Sequence, residues 1–201
     1  MVRWEPDSRG RLVEAALALF AQRGYESTTV EEIAERAGLS ERTFFRYFVD
    51  KREVLFWGAQ TLEELLVGAV NDAPTNEAPI EVVVSALERS GEMFDDRRDG
   101  ARQRQAVIAA NAQLRERELI KLASLASALA KALVQRGVST VTADLAAQAG
   151  VAVFAVAFER WVDESNEVDL ATLIRASFNE LKDVTSGGQT PTGDPFSAGG
   201  A

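Results

Sequence analysis

The sequence predicts an all-α protein of about nine helices: a small helix-turn-helix head followed by a larger helical bundle. Three observations carry that expectation. Alanine, leucine and glutamate, which are strong helix formers, dominate long stretches of the 201 residues. Only five prolines interrupt them, four of these at or after Pro74. Apolar residues recur at spacings of three and four, the signature of helices with one buried face.

The first stripe lies in "DSRGRLVEAALALFAQR", residues 7–23, with Leu12, Val13, Ala16, Leu17 and Phe20 on one side. Asp7 or Ser8 can cap its start, and Gly24 stands where a helix-ending glycine would. In "TVEEIAERAG", Val30, Ile33, Ala34 and Ala37 share a face, and Thr29 and Glu32 have capping-box spacing. Gly38 ends that helix, and after the three-residue gap Gly38-Leu39-Ser40, Ser40 is placed to cap "ERTFFRYF". Two short helices about a glycine turn make a helix-turn-helix pattern. Asp50 and Glu53 repeat the capping-box spacing and are expected to open a helix through "KREVLFWGAQTLEELLVGAV".

A Pro/Asn turn at 71–79 separates this from helical stretches at roughly 80–94, 98–110, 112–136, 139–164 and 168–184. Gly100, Asn111 and Gly137 sit near the breaks, with Asn111 a candidate cap. The reading gives a head over 1–52 and a body over 53–184. The segment 185–201, rich in Gly, Pro, Ser and Thr and without a period, is expected to be a disordered tail.

Composition excludes several chemistries. With no cysteine and no histidine, there are no disulfides, thiol nucleophiles, Cys/His metal sites or histidine acid–base pairs. Glu31, Glu32 and Glu35 are explained by helical spacing and capping, so no metal or other cofactor is expected, and no enzyme. No signal-peptide core or run of ~18 uninterrupted apolar residues occurs, so a cytoplasmic protein with no membrane partner is expected. The net charge of −9 disfavours nucleic acid at first sight. However, residues 1–52 hold nine Lys/Arg and nine Asp/Glu, leaving 13 against 22 for the remainder. The head is neutral and all the excess acidity belongs to the body.

The segment "SERTFFRYFVDK" has two sides. At about 100° per residue, Phe44 and Phe48 fall about 40° apart, with Phe45 and Tyr47 flanking them over an arc of ~160°. Arg42, Thr43 and Arg46 occupy the other side. Arginine's planar fork matches guanine O6 and N7 or a phosphate, hydroxyls suit phosphate oxygens, and Phe45 suits a thymine methyl. Lys51 and Thr29 are placed to reach the backbone. Glu41 is the misfit: it accepts from cytosine N4 or points away. Patterning alone leaves two readings open, a DNA reader and a helical interaction module with a structural helix-turn-helix.

The run from Ala15 to Leu55 resembles the TetR family of transcriptional regulators. The shared parts are Phe-x-x-x-Gly-Tyr, Thr-Thr-Val, Ile-Ala-x-x-Ala-Gly-Leu-Ser, and Thr-aromatic-aromatic-x-Tyr-Phe with its following lysine. The resemblance implies a homodimer that binds an inverted-repeat operator on double-stranded DNA, a repressor released when a small molecule binds the body. By position it implies backbone contacts from Thr29, Ser40, Thr43, Tyr47 and Lys51, and a base-facing set of Glu41, Arg42, Phe45 and Arg46. Many members carry tyrosine where this chain has Phe45, which removes one hydroxyl. Residues 104–138 also resemble, more weakly, the body of regulators grouped with the mycofactocin regulator, implying an apolar or acyl-CoA-like effector.

Within the body, Ala147, Gly150, Val151, Phe154 and Trp161, with Ile174, Phe178 and Leu181, are expected to form a dimer interface, Gly150 allowing close helix approach. The alternative is that these helices complete the monomer core. Effector-pocket candidates are Trp57, Leu62, Leu65, Met93, Phe94, Ile108, Leu122, Leu125 and Phe158. Arg102, Arg104 or Gln105 are candidates to meet an acidic ligand group. For each, plain core or surface is the competing assignment.

Overall fold

A computed structural model describes residues 8–94, 97–163 and 167–187 of the chain. The stripes fold as α1 (Ser8–Arg23), α2 (Val30–Arg36), α3 (Glu41–Tyr47), α4 (Ala59–Asn71), α5 (Pro79–Arg89), α6 (Arg98–Ala109), α7 (Ala112–Gln135), α8 (Thr140–Val162) and α9 (Leu170–Thr185). There are no strands among the described residues. The cap at Asp7 and residues 188–201 of the expected tail lie outside them.

Two apolar clusters divide the molecule. The smaller joins Leu12, Ala16, Leu19 and Phe20 of α1 to Ile33 of α2 and to Phe44 and Phe48, with Tyr25 closing one end. It also takes in Val54, Leu55 and Phe56, beyond the expected head boundary at 52, and Val107, Ile108 and Leu114 from α6 and α7. The larger cluster is built by α4, α5, α7, α8 and α9. α8 lies at its centre, with ten residues buried against its neighbours. It is long and apolar enough to span a membrane by length and composition, but its packing against α5, α7 and α9 makes it the core helix of this bundle.

Several local expectations change. Asp50 accepts from the backbone amides of Arg52 and Glu53, but Glu53 does not reciprocate, so no capping box forms. Its carboxylate instead binds Arg117 and Lys121 of α7. The helix expected from residue 51 is broken: a 3-10 turn (Glu53–Phe56) precedes α4. A second 3-10 turn (Ser90–Met93) shortens the 80–94 stretch. Gly100 lies inside α6, not at a break. Asn111 precedes α7 but does not cap it, because its side-chain amide donates back to the Val107 carbonyl.

Gly150 finds its close neighbour within the chain. A Cβ there would stand 2.3 Å from Val83 Cγ1 of α5, so α5 and α8 touch only because position 150 has no side chain. The expected interface set of Ala147, Gly150, Val151, Phe154, Trp161, Ile174 and Phe178 is buried in the single chain, and Leu181 packs on the same core. These residues complete the monomer. Salt bridges from Arg175 to Glu81 and Glu88, and from Lys182 to Glu81, hold α9 along α5.

Candidate nucleic-acid interface

The helix-turn-helix is assembled by its caps. Thr29 accepts from the Glu32 amide while the Glu32 carboxylate accepts from the Thr29 amide, the reciprocal box expected for α2. That hydrogen bond from the Thr29 backbone holds the Glu32 carboxyl below its usual range, with Arg23 assisting. Gly38 turns the chain at φ +66°, a region costly for residues with a Cβ. Arg11 of α1 closes this turn by donating to the Ala37 carbonyl. Ser40 then caps α3 by accepting from the Thr43 amide at 3.2 Å.

α3 presents two faces. Phe44 is fully buried and Phe48 nearly so, with ring centroids 5.5 Å apart. Phe45 packs edge-on to Phe44 yet is 55% exposed, and Glu41, Arg42 and Arg46 are exposed beside it. Tyr47 is half-buried at the other edge, where its hydroxyl accepts from Arg46 at 3.1 Å. Arg46 also lies 4.8 Å from the Tyr47 ring centre. Thr43 shares a hydrogen bond with Ser40. Glu41 is the first residue of α3, where the helix dipole favours a negative charge, which accounts for an acid in this face.

Sequence reasoning missed two residues here. Arg9 of α1 lies 5.2 Å from the Tyr47 ring centre and 5.9 Å from that of Trp57. Val49, 84% exposed, follows directly on the buried Phe48. Neither carries a sequence signal, since one is an arginine on a helix distant in sequence and the other a valine after α3. Lys51, expected at the phosphate backbone, donates instead to the carbonyls of Tyr25, Glu26 and Thr28.

The residues 12–56 match the family described as bacterial regulatory proteins, tetR family, and residues 77–186, more than half of the chain, match the MftR C-terminal domain. The chain belongs to the TetR family. It is a TetR-family transcriptional regulator with an MftR-type body. It is 25% identical over 170 residues to a proposed mycofactocin biosynthesis transcriptional regulator, MftR, of Mycobacterium tuberculosis, covering 83% of this chain and 85% of MftR. Over 80 residues, 40% of this chain, it is 39% identical to the regulator TcmR of Streptomyces glaucescens, and that match spans about a third of TcmR. The crystal structure of Thermus thermophilus FadR, a repressor in complex with lauroyl-CoA, shares the fold at TM-score 0.56 and 23% identity over 95% of this chain and all of that one. A regulator from Syntrophomonas wolfei does so at TM-score 0.64 and 17% identity, over 92% and 98%.

The body of this TetR-family chain rearranges the expected pocket set. Leu62, Phe94, Leu122 and Phe158 are only partly buried against the large core, and Met93, next to Phe94 in sequence, is half-buried. Phe94 meets Phe158 and Trp161 edge-on, each at 5.8 Å. Leu125 is plain core, and Ile108 belongs to the head cluster. Trp57 lies beneath Arg9, a residue of the head, and Leu65 is exposed. Arg102 donates to the Val162 carbonyl, satisfying the end of α8, and pairs with Asp99. Arg104 pairs with Glu118, and Gln105 donates to the same carboxylate while its own Oε1 is buried without a partner among the described residues.

Proposed function

We propose that the protein is a homodimeric repressor that binds an inverted-repeat operator and is released by a small apolar or acyl-type ligand. The observation that carries the DNA part is α3 itself: Phe44 and Phe48 anchor it while Arg42, Phe45 and Arg46 stand outward together. In this reading Glu41, Arg42, Phe45 and Arg46 face base edges, and Thr29, Ser40, Thr43 and Tyr47 face phosphates. The head comprises residues 1–52, with its core extended to Phe56, and 53–184 form the effector and dimerisation body. It acts in the cytoplasm on double-stranded DNA and is not an enzyme.

Dimerisation is supported by the outer face of α8. Leu145, Ala152 and Val156 are exposed on one stripe, with Ala149 and Ala155 half-exposed alongside. Covering that stripe with a second copy removes apolar surface from water, and a two-fold dimer suits half-sites one DNA turn, ~34–36 Å, apart. The effector reading is supported by the half-exposed Leu62, Phe94, Leu122 and Phe158, and by the lauroyl-CoA bound to the FadR relative in fold. A ligand that favours a body conformation with mis-spaced heads weakens DNA binding, typically by ~1–3 kcal/mol in such couplings.

The test selects duplexes from a random-sequence pool with the full-length protein, then measures binding of parent and Arg42→Ala. The expected loss is ~1–3 kcal/mol with relaxed choice at one base position. Failure to enrich any sequence, or an Arg42→Ala protein that selects like the parent, defeats the assignment of α3. Adding lauroyl-CoA as a probe is expected to weaken the selected complex.

A further inference from the structure

We infer that Lys51 is a positioning residue for DNA reading, clasping the turn between α1 and α2 so that α2 and α3 are held at a fixed angle. An ammonium group has three protons to donate. Here they meet three converging carbonyls, at 2.8 Å from Tyr25, 3.2 Å from Glu26 and 2.9 Å from Thr28. The same nitrogen sits 4.4 Å from the centre of the Tyr25 ring. No proton is left over in this arrangement for a phosphate oxygen.

Both ends of the strut are stiff. Tyr25 is buried and packs edge-on to Phe20 at 5.2 Å, while buried Thr28 donates its hydroxyl to the Gly24 carbonyl. On the other side, Asp50 accepts from the Arg52 and Glu53 amides and pairs with the Arg52 guanidinium. That pairing, chiefly the side-chain hydrogen bond from Arg52, holds the Asp50 carboxyl below its usual range. Lys51 therefore ties the chain leaving α3 to the corner entering α2. The loop it closes, residues 25–51, contains the whole helix-turn-helix. Methionine would fill the stem and leave the carbonyls without a donor. Arginine would keep the charge, but its flat fork cannot serve three carbonyls converging on one point.

The inference rests on the head being the DNA-binding part, and the parent protein tests that separately. The experiment measures parent, Lys51→Met and Lys51→Arg on a duplex selected by the full-length parent and on its scrambled counterpart, over a salt series. A clasp predicts that both variants lose ~10-fold or more on the selected duplex, stay within ~3-fold on the scrambled one, and keep the parent's salt slope. A phosphate contact predicts a slope lower by ~0.9 for Lys51→Met and near-parent binding for Lys51→Arg, which overturns the proposal. So does unchanged binding in both variants. A parent that shows no preference for its selected duplex removes the reading on which the proposal stands.

A measurement on the parent covers variants that fail to fold. The chain has only four lysines, so the ¹⁵N-labelled Lys51 ammonium is identifiable by its loss in Lys51→Arg or by eliminating the others. The clasp expects a slowly exchanging ammonium signal that persists when the selected duplex is added. A lysine–phosphorus coupling across a hydrogen bond at that signal overturns it.

Discussion

Arg104 of α6 donates from Nε to the carbonyl of Leu55 at 2.6 Å, joining the body to the 3-10 turn that leads out of the head. The same guanidinium pairs with Glu118 of α7 at 3.1 Å and lies over the Phe56 ring. Two residues before Leu55, Glu53 is held by Arg117 and Lys121 of α7. Burial pulls the Arg104 pKa below the usual guanidinium range, while Glu118 acts in the opposite sense. Glu118→Ala leaves a largely buried cation with only a carbonyl, and is expected to cost about 2–3 kcal/mol. Urea unfolding measures this, and no change in midpoint would show that the pair is not holding the junction.

The two faces of α3 predict opposite results for adjacent phenylalanines. Phe44→Ala removes a fully buried ring from the head core and is expected to cost ~3–5 kcal/mol of stability. Phe45→Ala changes an exposed ring and is expected to shift stability by less than ~0.5 kcal/mol. Its effect belongs to DNA binding, read as loss of preference at a thymine in the selected site. Thermal unfolding and duplex selection on the same pair of variants separate the roles.

Much of this was legible because the signals are local. Capping at Thr29 and Ser40, the glycine turn at Gly38 and the division of Phe44 and Phe48 from Phe45 follow from spacing within one or two turns. What was not legible depends on which helix lies across the way. α8 is apolar nearly all round, so its periodicity does not say which stripe meets the chain's own core and which meets another surface. Val151, Phe154 and Trp161, interface candidates by their spacing, are buried within the single chain, leaving Leu145, Ala152 and Val156 outside. The carbonyl partners of Arg102 and Lys51 in this structure are hidden from the sequence for a related reason. A cation's target is a backbone carbonyl distant in sequence, which no local pattern reveals.

The exposed stripe and the buried glycine of α8 give separable predictions. Val156→Glu places a charge on the proposed partner-facing side and is expected to yield a monomer in sedimentation at micromolar concentration, with helicity retained. Gly150→Ala instead forces a Cβ onto Val83, with an expected cost of about 1–3 kcal/mol to the monomer fold. Adding Val83→Ala makes room and is expected to recover part of that loss. A dimer that survives Val156→Glu would place the interface elsewhere.

Asp169 gives the fold a defined acid sensitivity. Its carboxylate caps α9, accepting from the Thr172 amide at 2.8 Å and the Thr172 hydroxyl at 2.7 Å. The backbone hydrogen bond from Thr172 is the main reason its pKa lies below the ordinary aspartate value. A carboxyl with a depressed folded-state pKa binds fewer protons folded than unfolded. It therefore supports the fold fully above the unfolded value near pH ~4, and that support drains away as pH falls through the folded value. Asp169→Ala is expected to lose about 1 kcal/mol at neutral pH with the cap. Asp169→Asn retains an acceptor for Thr172 but cannot titrate, so its Tm should fall less steeply than the parent's below pH ~4. Parallel acid limbs for parent and Asp169→Asn would show that the cap does not carry this dependence.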